Sequence, residues 1–395
     1  MIHSAEIEKE LRNILSFWTH HTVDEQNGGF VGEILSDMSI TPNAPKGLVL
    51  NARILWAFSK AYRFYKDKQY KAMADRAYRY LNEYFLDPEY AGYYWMVDVQ
   101  GKPLNSRKQI YGQAFAVYAF SEYYMAVRNT GALDKAKEIF HLIEAHSYDH
   151  ENKGYFEACT QNWKLEEDMR LSEHDMNEKK SMNTHLHVLE AYTNLYRIWP
   201  DETLRQKLAE LIEVTVDRIV NQKSGHFILF FDESWNTKSD LISYGHDIEG
   251  SWLLYEAADA LNDEALKEQV KSVALQMAEA VYNNGLDADG SVLNEANSQG
   301  VFDDDKHWWP QAEAVVGFLN AYQLNGNPDY LTAAEKCWTF IDKYIIDKKH
   351  GEWFWKVSRT GEPYLNSPKV DPWKCPYHNS RACFEILERL EHINL

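Results

Sequence analysis

The sequence is poor in cysteine and in long apolar runs. Its 395 residues contain four cysteines and no CxxC pair, which favours a reducing compartment over a disulfide-bonded one. No apolar stretch approaches the roughly 18 residues that a membrane span needs. The first ten residues also lack the apolar core of a signal peptide. We therefore expect a soluble, cytoplasmic protein.

Positive charge is scarce as well. The chain has 41 Lys and Arg against 60 Asp and Glu, a formal net charge of −19. Nucleic acids and anionic membranes need clustered basic residues, so both are excluded as expected partners. There is no GxGxxG or P-loop pattern, and nothing indicates a nucleotide cofactor or a metal. A small neutral substrate fits this composition, whereas the oligomeric state stays open.

Aromatic residues are abundant, with 13 Trp and 25 Tyr. Many of them will be core residues, but indole and phenol rings also offer flat apolar faces with a polar edge. Such faces suit the C–H surfaces of sugars. The composition hints at a carbohydrate ligand.

A glycine followed by aromatic or small residues recurs at intervals of roughly 60 to 70 residues, which is the sign of a repeat architecture. The six occurrences begin at Gly28, Gly92, Gly154, Gly225, Gly290 and Gly351. Each interval has room for two helices and a short hairpin. No Pro-, Gly- or Ser-rich linker divides the chain, so we expect residues 1–395 to form one domain.

Two sets of helices alternate between these signals. Amphipathic outer helices are predicted at about 4–19, 70–85, 133–147, 202–221, 263–282 and 329–345. More apolar inner helices are predicted at about 48–64, 110–127, 182–198, 246–260, 309–323 and 377–391. Six inner and six outer helices predict an all-α (α/α)6 barrel with short β-hairpins. The inner helices then begin at one end of the barrel, called the mouth below, where distant residues converge.

The fourth inner helix starts with a polar cluster that a helix does not require. Ser243 or Asp247 can cap its first turn. His246 lies at the mouth, and Glu249 follows three residues later on the same face, which would let its carboxylate orient the imidazole and favour the protonated form. The alternative is a capped amphipathic helix with an incidental histidine.

Two other inner helices also start with histidines. In the third, His185 and His187 diverge by about 200° around the helix and cannot readily share a metal ion. Asn183 and His187 do share a face, so His187 is predicted in the site and His185 as a structural residue. In the sixth, His378 stands beside aromatic residues. Three histidines at one end are difficult to explain as core residues.

The remaining candidates allow two interpretations each. Arg53 lies on an apolar face and either pairs with a buried carboxylate or binds a substrate oxygen. Tyr111 binds a hydroxyl or belongs to the core, and the tandem Trp308 and Trp309 pack in the core or stack on a sugar. Glu313 is predicted to be the partner of a buried Arg or His.

Four segments resemble the motifs of the cellobiose 2-epimerases, within the N-acylglucosamine 2-epimerase superfamily: 182–192, 243–254, 308–323 and 373–383. The resemblance covers nearly the whole chain. It implies an (α/α)6 barrel that binds a free reducing sugar, opens its ring and inverts C2 without metal or nicotinamide.

Carried over residue by residue, the resemblance makes His246 and His378 the acid/base catalysts. Glu249 would raise the basicity of His246, and His187 would assist ring opening. The sugar would be held by Arg53, Tyr111, Asn183, Trp308 or Trp309, and Trp373. Gly250, Ser380 and His307 depart from the family pattern and point to altered sugar specificity.

Elementary chemistry agrees with these roles. The C2 proton becomes acidic once C1 is an aldehyde, and a base can then remove it to give an enediolate. Inversion needs reprotonation from the opposite face, which two histidines provide. Arg53 would stabilise the developing oxyanion.

Four rival functions remain at this stage. A mannose 2-epimerase restricted to monosaccharides would differ in the size of its cleft. An aldose–ketose isomerase would need one base. An inverting glycoside hydrolase would need two carboxylates roughly 6.5–9.5 Å apart, such as Glu249 with Glu295 or Glu313. A non-catalytic sugar-binding protein would leave the histidines unexplained.

Overall fold

Twelve α-helices follow one another through residues 2–393, the part of the chain that the computed structural model describes. In chain order they are α1 (Ser4–His21), α2 (Leu48–Tyr65), α3 (Lys68–Tyr80), α4 (Ile110–Val127), α5 (Thr130–His146), α6 (Met182–Tyr196), α7 (Glu202–Val214), α8 (Tyr244–Leu261), α9 (Glu264–Asn284), α10 (Trp308–Asn325), α11 (Pro328–Phe340) and α12 (Tyr377–His392). Three outer helices continue into π-helical turns, at Leu81–Phe85, Thr215–Ile219 and Ile341–Ile345. Within residues 2–393, none of the helices is both long and apolar enough to cross a bilayer.

The helices form two concentric rings. Each even-numbered helix packs against the next one, and α12 packs against α2, so the inner ring is closed. The odd-numbered helices lie outside it, and α1 closes the outer layer by packing against α12. Inner helices such as α4 are buried on nearly all sides, whereas outer helices bury one face. The predicted (α/α)6 barrel is confirmed.

Short antiparallel strands gather at the mouth. They are β1 (Lys46–Gly47), β2 (Met96–Val97), β3 (Pro103–Asn105), β4 (Lys108–Gln109), β5 (Ala158–Cys159), β6 (Lys180–Ser181), β7 (Phe230–Phe231), β8 (Ile242–Ser243), β9 (Glu295–Asn297), β10 (Gly300–Asp303), β11 (Lys306–His307) and β12 (Lys356–Val357). They pair as β1–β2–β3, β8–β9–β10, β4–β5, β6–β7 and β11–β12. A strand precedes five of the six inner helices directly, and this fixes where those helices begin.

The six glycines of the repeated signal share one backbone conformation. Their φ angles lie between +67° (Gly92) and +86° (Gly290). A left-handed backbone favours glycine because a Cβ would clash. At Gly154 (φ +76°), a Cβ would also lie 2.6 Å from His185 Nε2. The repeated glycine therefore marks the tight turn that precedes each inner helix.

A buried lysine forms an ion pair with an aspartate beside five of these turns, a feature the sequence interpretation missed. The Nζ–Oδ distances are 2.7–3.0 Å and the lysine side chains are at most 1% exposed. The pairs are Lys46–Asp24, Lys108–Asp87, Lys180–Asp149, Lys306–Asp287 and Lys369–Asp347. In four of them the lysine stands two residues before an inner helix, and this spacing is the signal that would have revealed them.

The fourth unit replaces both partners together. Ile242 stands two residues before α8, where the other units have lysine, and Asn221 stands where they have aspartate. Asn221 still accepts hydrogen bonds from the backbone N–H groups of Lys223 and Ser224 (3.0 and 3.3 Å). The turn is thus preserved. Because Ile242 and Asn221 are both neutral, this unit buries no unpaired charge.

Candidate active site

All ten residues predicted for the site line one cavity of about 240 Å³ at the mouth. They are Arg53, Tyr111, Asn183, His187, His246, Glu249, Trp308, Trp309, Trp373 and His378. His307 and Trp355 complete the lining, and neither was predicted as a site residue. Residues from all six inner-helix units thus meet in one space, although their individual roles stay predictions.

His246 is held by a hydroxyl group. Its Nδ1 lies 2.8 Å from Ser243 Oγ, which leaves Nε2 free. No ion pair within 4 Å joins His246 to Glu249 among the described residues, so the expected pairing of these two is wrong. Burial, together with His187 and Arg53, lowers the pKa of His246 to about 3, so the expected stabilisation of its protonated form is wrong as well. The imidazole is neutral at pH 7.

The cap expected at the start of α8 differs too. Ser243 occupies the N-cap position but makes no capping hydrogen bond, because its hydroxyl contacts His246. Asp247 accepts hydrogen bonds from His226 and from the backbone N–H of Phe227, both at 2.7 Å. Neither side chain therefore caps the backbone N–H groups of the first turn.

His378 is held by a carboxylate. Its Nδ1 lies 2.7 Å from Glu313 Oε1 and 3.8 Å from Glu249 Oε1. Burial and the positive charges of Arg53 and Arg381 lower its pKa well below the usual value. Glu313 bonds both His378 and Arg381, which confirms its predicted role as the partner of a buried His or Arg.

Glu249 belongs to the environment of His378 rather than of His246. Its Oε1 accepts a hydrogen bond from Arg381, while its buried Oε2 has no hydrogen-bond partner among the described residues. Burial and the neighbouring Glu313 raise its pKa to about 7. Local spacing along α8 suggested His246 as its partner, but α12 supplies a closer one.

His187 has a carboxylate partner one turn along its own helix. Its Nδ1 lies 3.0 Å from Glu190 Oε2. Tyr111 packs edge-on against the imidazole at 4.9 Å between ring centroids. Asn183, one turn earlier, also lines the cavity, and its buried Oδ1 has no hydrogen-bond partner among the described residues. His187 and Asn183 thus present polar atoms to the same space.

Arg53 has no carboxylate partner within the described chain, so the expectation of a buried ion pair is wrong and the substrate alternative stands. Its Nη2 donates to the Tyr111 hydroxyl at 2.8 Å, and its guanidinium lies 4.2 Å from the centre of the Phe115 ring. Aromatic faces compensate part of the cost of burying the charge. The Nε–H group has no protein acceptor there and is free for a ligand oxygen.

Three tryptophans shape the cavity in different ways. Trp309 lies between the two imidazoles, with its ring 4.6 Å from His246 and 5.6 Å from His378. Trp373 is half-buried and packs edge-on against Tyr111. Trp308 is buried, and its Nε1–H has no acceptor among the described residues. Trp309 and Trp373 offer ring faces, whereas Trp308 offers a hydrogen-bond donor.

One cluster at the site has the residue types of a metal centre. Glu249, Glu313 and His378 bring one ligand atom each within 4.8 Å of the others. Arg381 already supplies positive charge there, because its Nη2 bonds both carboxylates. The donor set therefore fits an arginine-neutralised cluster better than a divalent cation.

His185 is satisfied by the backbone, as predicted. Its Nδ1 lies 2.6 Å from the carbonyl of Ser181, and its Nε2 accepts from the N–H of Tyr155 at 2.8 Å. Burial lowers its pKa to about 4, so it is neutral. The same contact to a hairpin N–H recurs at the fourth position of three other inner helices: Gln113 with Tyr93, Asp247 with Phe227, and Gln311 with Val292.

Substitution by glutamine should therefore have different effects at His185 and at His187. His185→Gln keeps an acceptor for the Tyr155 N–H, as glutamine does in two other units, so the free energy of unfolding should change by about 1 kcal/mol or less. Its kcat should stay near wild type. His187→Gln should lower kcat by about 10²-fold or more. Steady-state kinetics and urea denaturation of both variants check this, and equal losses of activity would contradict it.

The fold and the cavity together indicate a protein that binds a carbohydrate. The mouth of this closed (α/α)6 barrel presents four imidazoles and four indoles in a space of the size of a sugar, an arrangement that suits a carbohydrate ligand.

Comparison with known proteins identifies the family. Residues 28–382 match the model described as N-acylglucosamine 2-epimerase, and the chain belongs to this family. It is 46% identical over 384 residues to a cellobiose 2-epimerase of Bacteroides fragilis, covering 97% of this chain and 98% of the relative. It is 42% identical to that of Dictyoglomus turgidum, covering 98% of each chain. The structure of the cellobiose 2-epimerase from Bacillus thermoamylovorans superposes with a TM-score of 0.94 at 40% identity, covering 98% and 99% of the two chains. The protein is a carbohydrate epimerase, an isomerase.

Proposed function

We propose that this enzyme inverts C2 of a free reducing disaccharide of the cellobiose type, without a cofactor, by proton transfer between two histidines. The observation that carries the proposal is the arrangement of His246 and His378 around Trp309. Each imidazole has its Nδ1 engaged by a protein oxygen, at 2.8 and 2.7 Å respectively. Both Nε2 atoms are therefore available to a sugar in the cavity.

The reaction starts with ring opening. His187 and Asn183 line the cavity together, and His187 Nε2 is free to accept the proton of the anomeric hydroxyl or to donate one to the ring oxygen. The open chain has an aldehyde at C1, which makes the C2 proton acidic. Arg53 then stabilises the oxygen that gains negative charge.

Inversion at C2 follows. One imidazole takes the C2 proton through Nε2, and the C2–H electron pair enters the enediolate. The other imidazole donates a proton through Nε2 to the opposite face of C2. Burial lowers the pKa of both histidines, so both imidazoles start neutral. His246, whose Nδ1 contacts a hydroxyl group and not a carboxyl group, starts as the base. The donated proton comes from the pair of His378 and Glu313, since burial also raises the pKa of Glu313.

Space beside the cavity supports a disaccharide. A second cavity of about 170 Å³ shares Trp373 with the catalytic cavity and is lined by Trp95 and Ser172. A third of about 230 Å³ shares Asn183 and His246. A single sugar ring occupies the catalytic cavity, and a second ring has adjoining volume to enter.

The same proposal includes one catalytic domain and a cytoplasmic location. Contacts between α1 and α12 tie the two ends of the described chain into one ring, in support of one domain. All four cysteines are buried and unpaired, which suits a reducing compartment.

Geometry disfavours Glu249 and Glu313 as the two carboxylates of an inverting glycosidase. Glu249 and Glu313 have oxygens within 4.8 Å of each other and share Arg381, whereas an inverting glycosidase keeps its carboxylates roughly 6.5–9.5 Å apart.

The proposal predicts solvent exchange at C2. Purified enzyme with a chelator in D2O should convert cellobiose to its C2 epimer, with deuterium at C2 of the product in NMR spectra. Mannose should react more slowly, since it leaves the adjoining cavities empty. Faster reaction of mannose would restrict the substrate to monosaccharides, a ketose product would indicate an isomerase, and no exchange with either sugar would refute the mechanism.

A further inference from the structure

Arg381 on α12 contacts three buried glutamates from three other inner helices. Its Nη1 bonds Glu190, and its Nη2 bonds Glu249 and, at 2.7 Å, Glu313. The hydroxyl of Tyr377 also contacts both Nη1 and Glu190. The guanidinium therefore joins α6, α8, α10 and α12 at one point on the barrel axis.

Two of these glutamates also contact histidines of the catalytic cavity, Glu190 through its second oxygen and Glu313 through the oxygen that bonds Arg381. Glu190 binds His187 Nδ1 at 3.0 Å, and Glu313 binds His378 Nδ1 at 2.7 Å. The contacts thus run from His187 through Glu190 to Arg381. From Arg381 they continue through Glu313 to His378. Both rings consequently direct Nε2 away from the cluster.

Arg381 itself does not reach the substrate space. It is 1% exposed and lines a separate cavity of about 320 Å³, together with Trp56, Tyr118 and Trp252. No sugar in the catalytic cavity touches it. Arg381 can therefore influence the reaction through the glutamates that it holds and through its charge. The three negative charges of these glutamates are costly to bury without a cation.

We propose that Arg381 is a positioning residue of the epimerisation, which holds Glu190 and Glu313 so that His187 and His378 present Nε2 to the sugar. This inference rests on the proposed function, because it assigns a purpose to histidines that act on C2. A planar guanidinium bonds several carboxylates at fixed angles, which an ammonium group does not.

Substitution by lysine separates geometry from charge. Arg381→Lys keeps one positive charge but loses the fixed fork, so kcat should fall by about 10²-fold while KM changes little. Nitrogen-15 chemical shifts of His187 and His378 should show a changed balance between the Nδ1–H and Nε2–H tautomers. A role confined to folding would leave both shifts and the kcat of the folded fraction unchanged.

Substitution by methionine removes the charge. The charged and titratable groups around His378 are Arg53, His187, His246, Glu249, Glu313 and Arg381. Of these, Arg381 helps to lower the pKa of His378. In Arg381→Met that pKa should rise, and the acidic limb of the kcat–pH profile should move to higher pH. In Arg381→Lys the limb should stay near its wild-type position. If the methionine variant does not fold, the lysine variant decides.

Arg389 provides a matched control two turns further along α12. Its side chain is 12% exposed and bonds Asn320, Gln323 and glutamates, but no histidine. Arg389→Lys should leave kcat and its pH profile unchanged. If the wild type exchanges C2 and Arg381→Lys has an unchanged kcat, the inference about Arg381 is wrong while the proposed function stands. If the wild type shows no C2 exchange, the proposed function itself is wrong.

Discussion

Replacement of His378 by asparagine is expected to slow epimerisation strongly while C2 exchange continues in one of the two epimers. With one acid/base group gone, the interconversion rate should fall by about 10²–10⁴-fold. His246 remains and is neutral, since burial lowers its pKa to about 3. It can still remove the C2 proton from the epimer that faces it and return deuterium to the same face.

The reciprocal variant makes the test decisive. His246→Asn should also slow epimerisation strongly, but it should exchange the other epimer, because His378 serves the opposite face of C2. Each variant is incubated in D2O with cellobiose and, separately, with its C2 epimer, and deuterium at C2 is followed by NMR. Exchange of the same epimer by both variants would mean that one base serves both directions.

A control shows that the loss is specific to these two imidazoles. His185→Gln removes a histidine from the same end of the barrel, but one whose two nitrogens are occupied by backbone groups. It should epimerise near the wild-type rate. A comparable loss in this variant would show that any change of a buried histidine disturbs the site.

Periodicity predicted the fold because it is a property of the chain itself. Glycine turns recur in each unit, and an apolar helix follows each of them, so the number of units and their alternation can be read directly. A closed ring brings the starts of α2, α4, α6, α8, α10 and α12 together. That closure is why ten residues scattered from Arg53 to His378 were predicted to share one cavity, and why they do.

Partners across the ring are harder to predict. Spacing of three residues along α8 suggested that Glu249 supports His246, since local geometry is all that one helix reveals. In the folded chain Arg381 comes from α12 and draws Glu249 toward His378, while the nearby Ser243 hydroxyl takes the His246 nitrogen. Ion pairs between inner helices depend on which residues lie at the same height along the barrel. The sequence of a single helix does not give that height relative to its neighbours.

Replacement of the buried Lys108 is expected to lower the free energy of unfolding more than any other substitution proposed for this protein. Lys108 and Asp87 are both 0% exposed in their side chains, with Nζ 2.8 Å from Oδ2. Lys108→Ile leaves the carboxylate buried without its cation, and this should lower the free energy of unfolding by about 3–5 kcal/mol. Urea denaturation followed by circular dichroism measures the change.

The fourth unit shows how that loss should be recovered. There Ile242 and Asn221 stand in place of the lysine and the aspartate, so the chain itself contains the neutral alternative. In the double variant Lys108→Ile with Asp87→Asn, the asparagine can still accept the turn hydrogen bonds that Asp87 now takes from Glu89 and Tyr90. Most of the lost stability should return, because no charge is left unpaired.

A surface ion pair provides the control for the effect of burial. Lys71 and Asp75 form a surface ion pair with side chains 39% and 32% exposed, and Lys71→Met should change the denaturation midpoint little. A double variant no more stable than Lys108→Ile would mean that the cation is needed for packing and not for charge balance. Recovery would mean that charge balance, rather than the ion pair itself, is what each buried turn requires, and that the fourth unit meets this requirement with two neutral side chains.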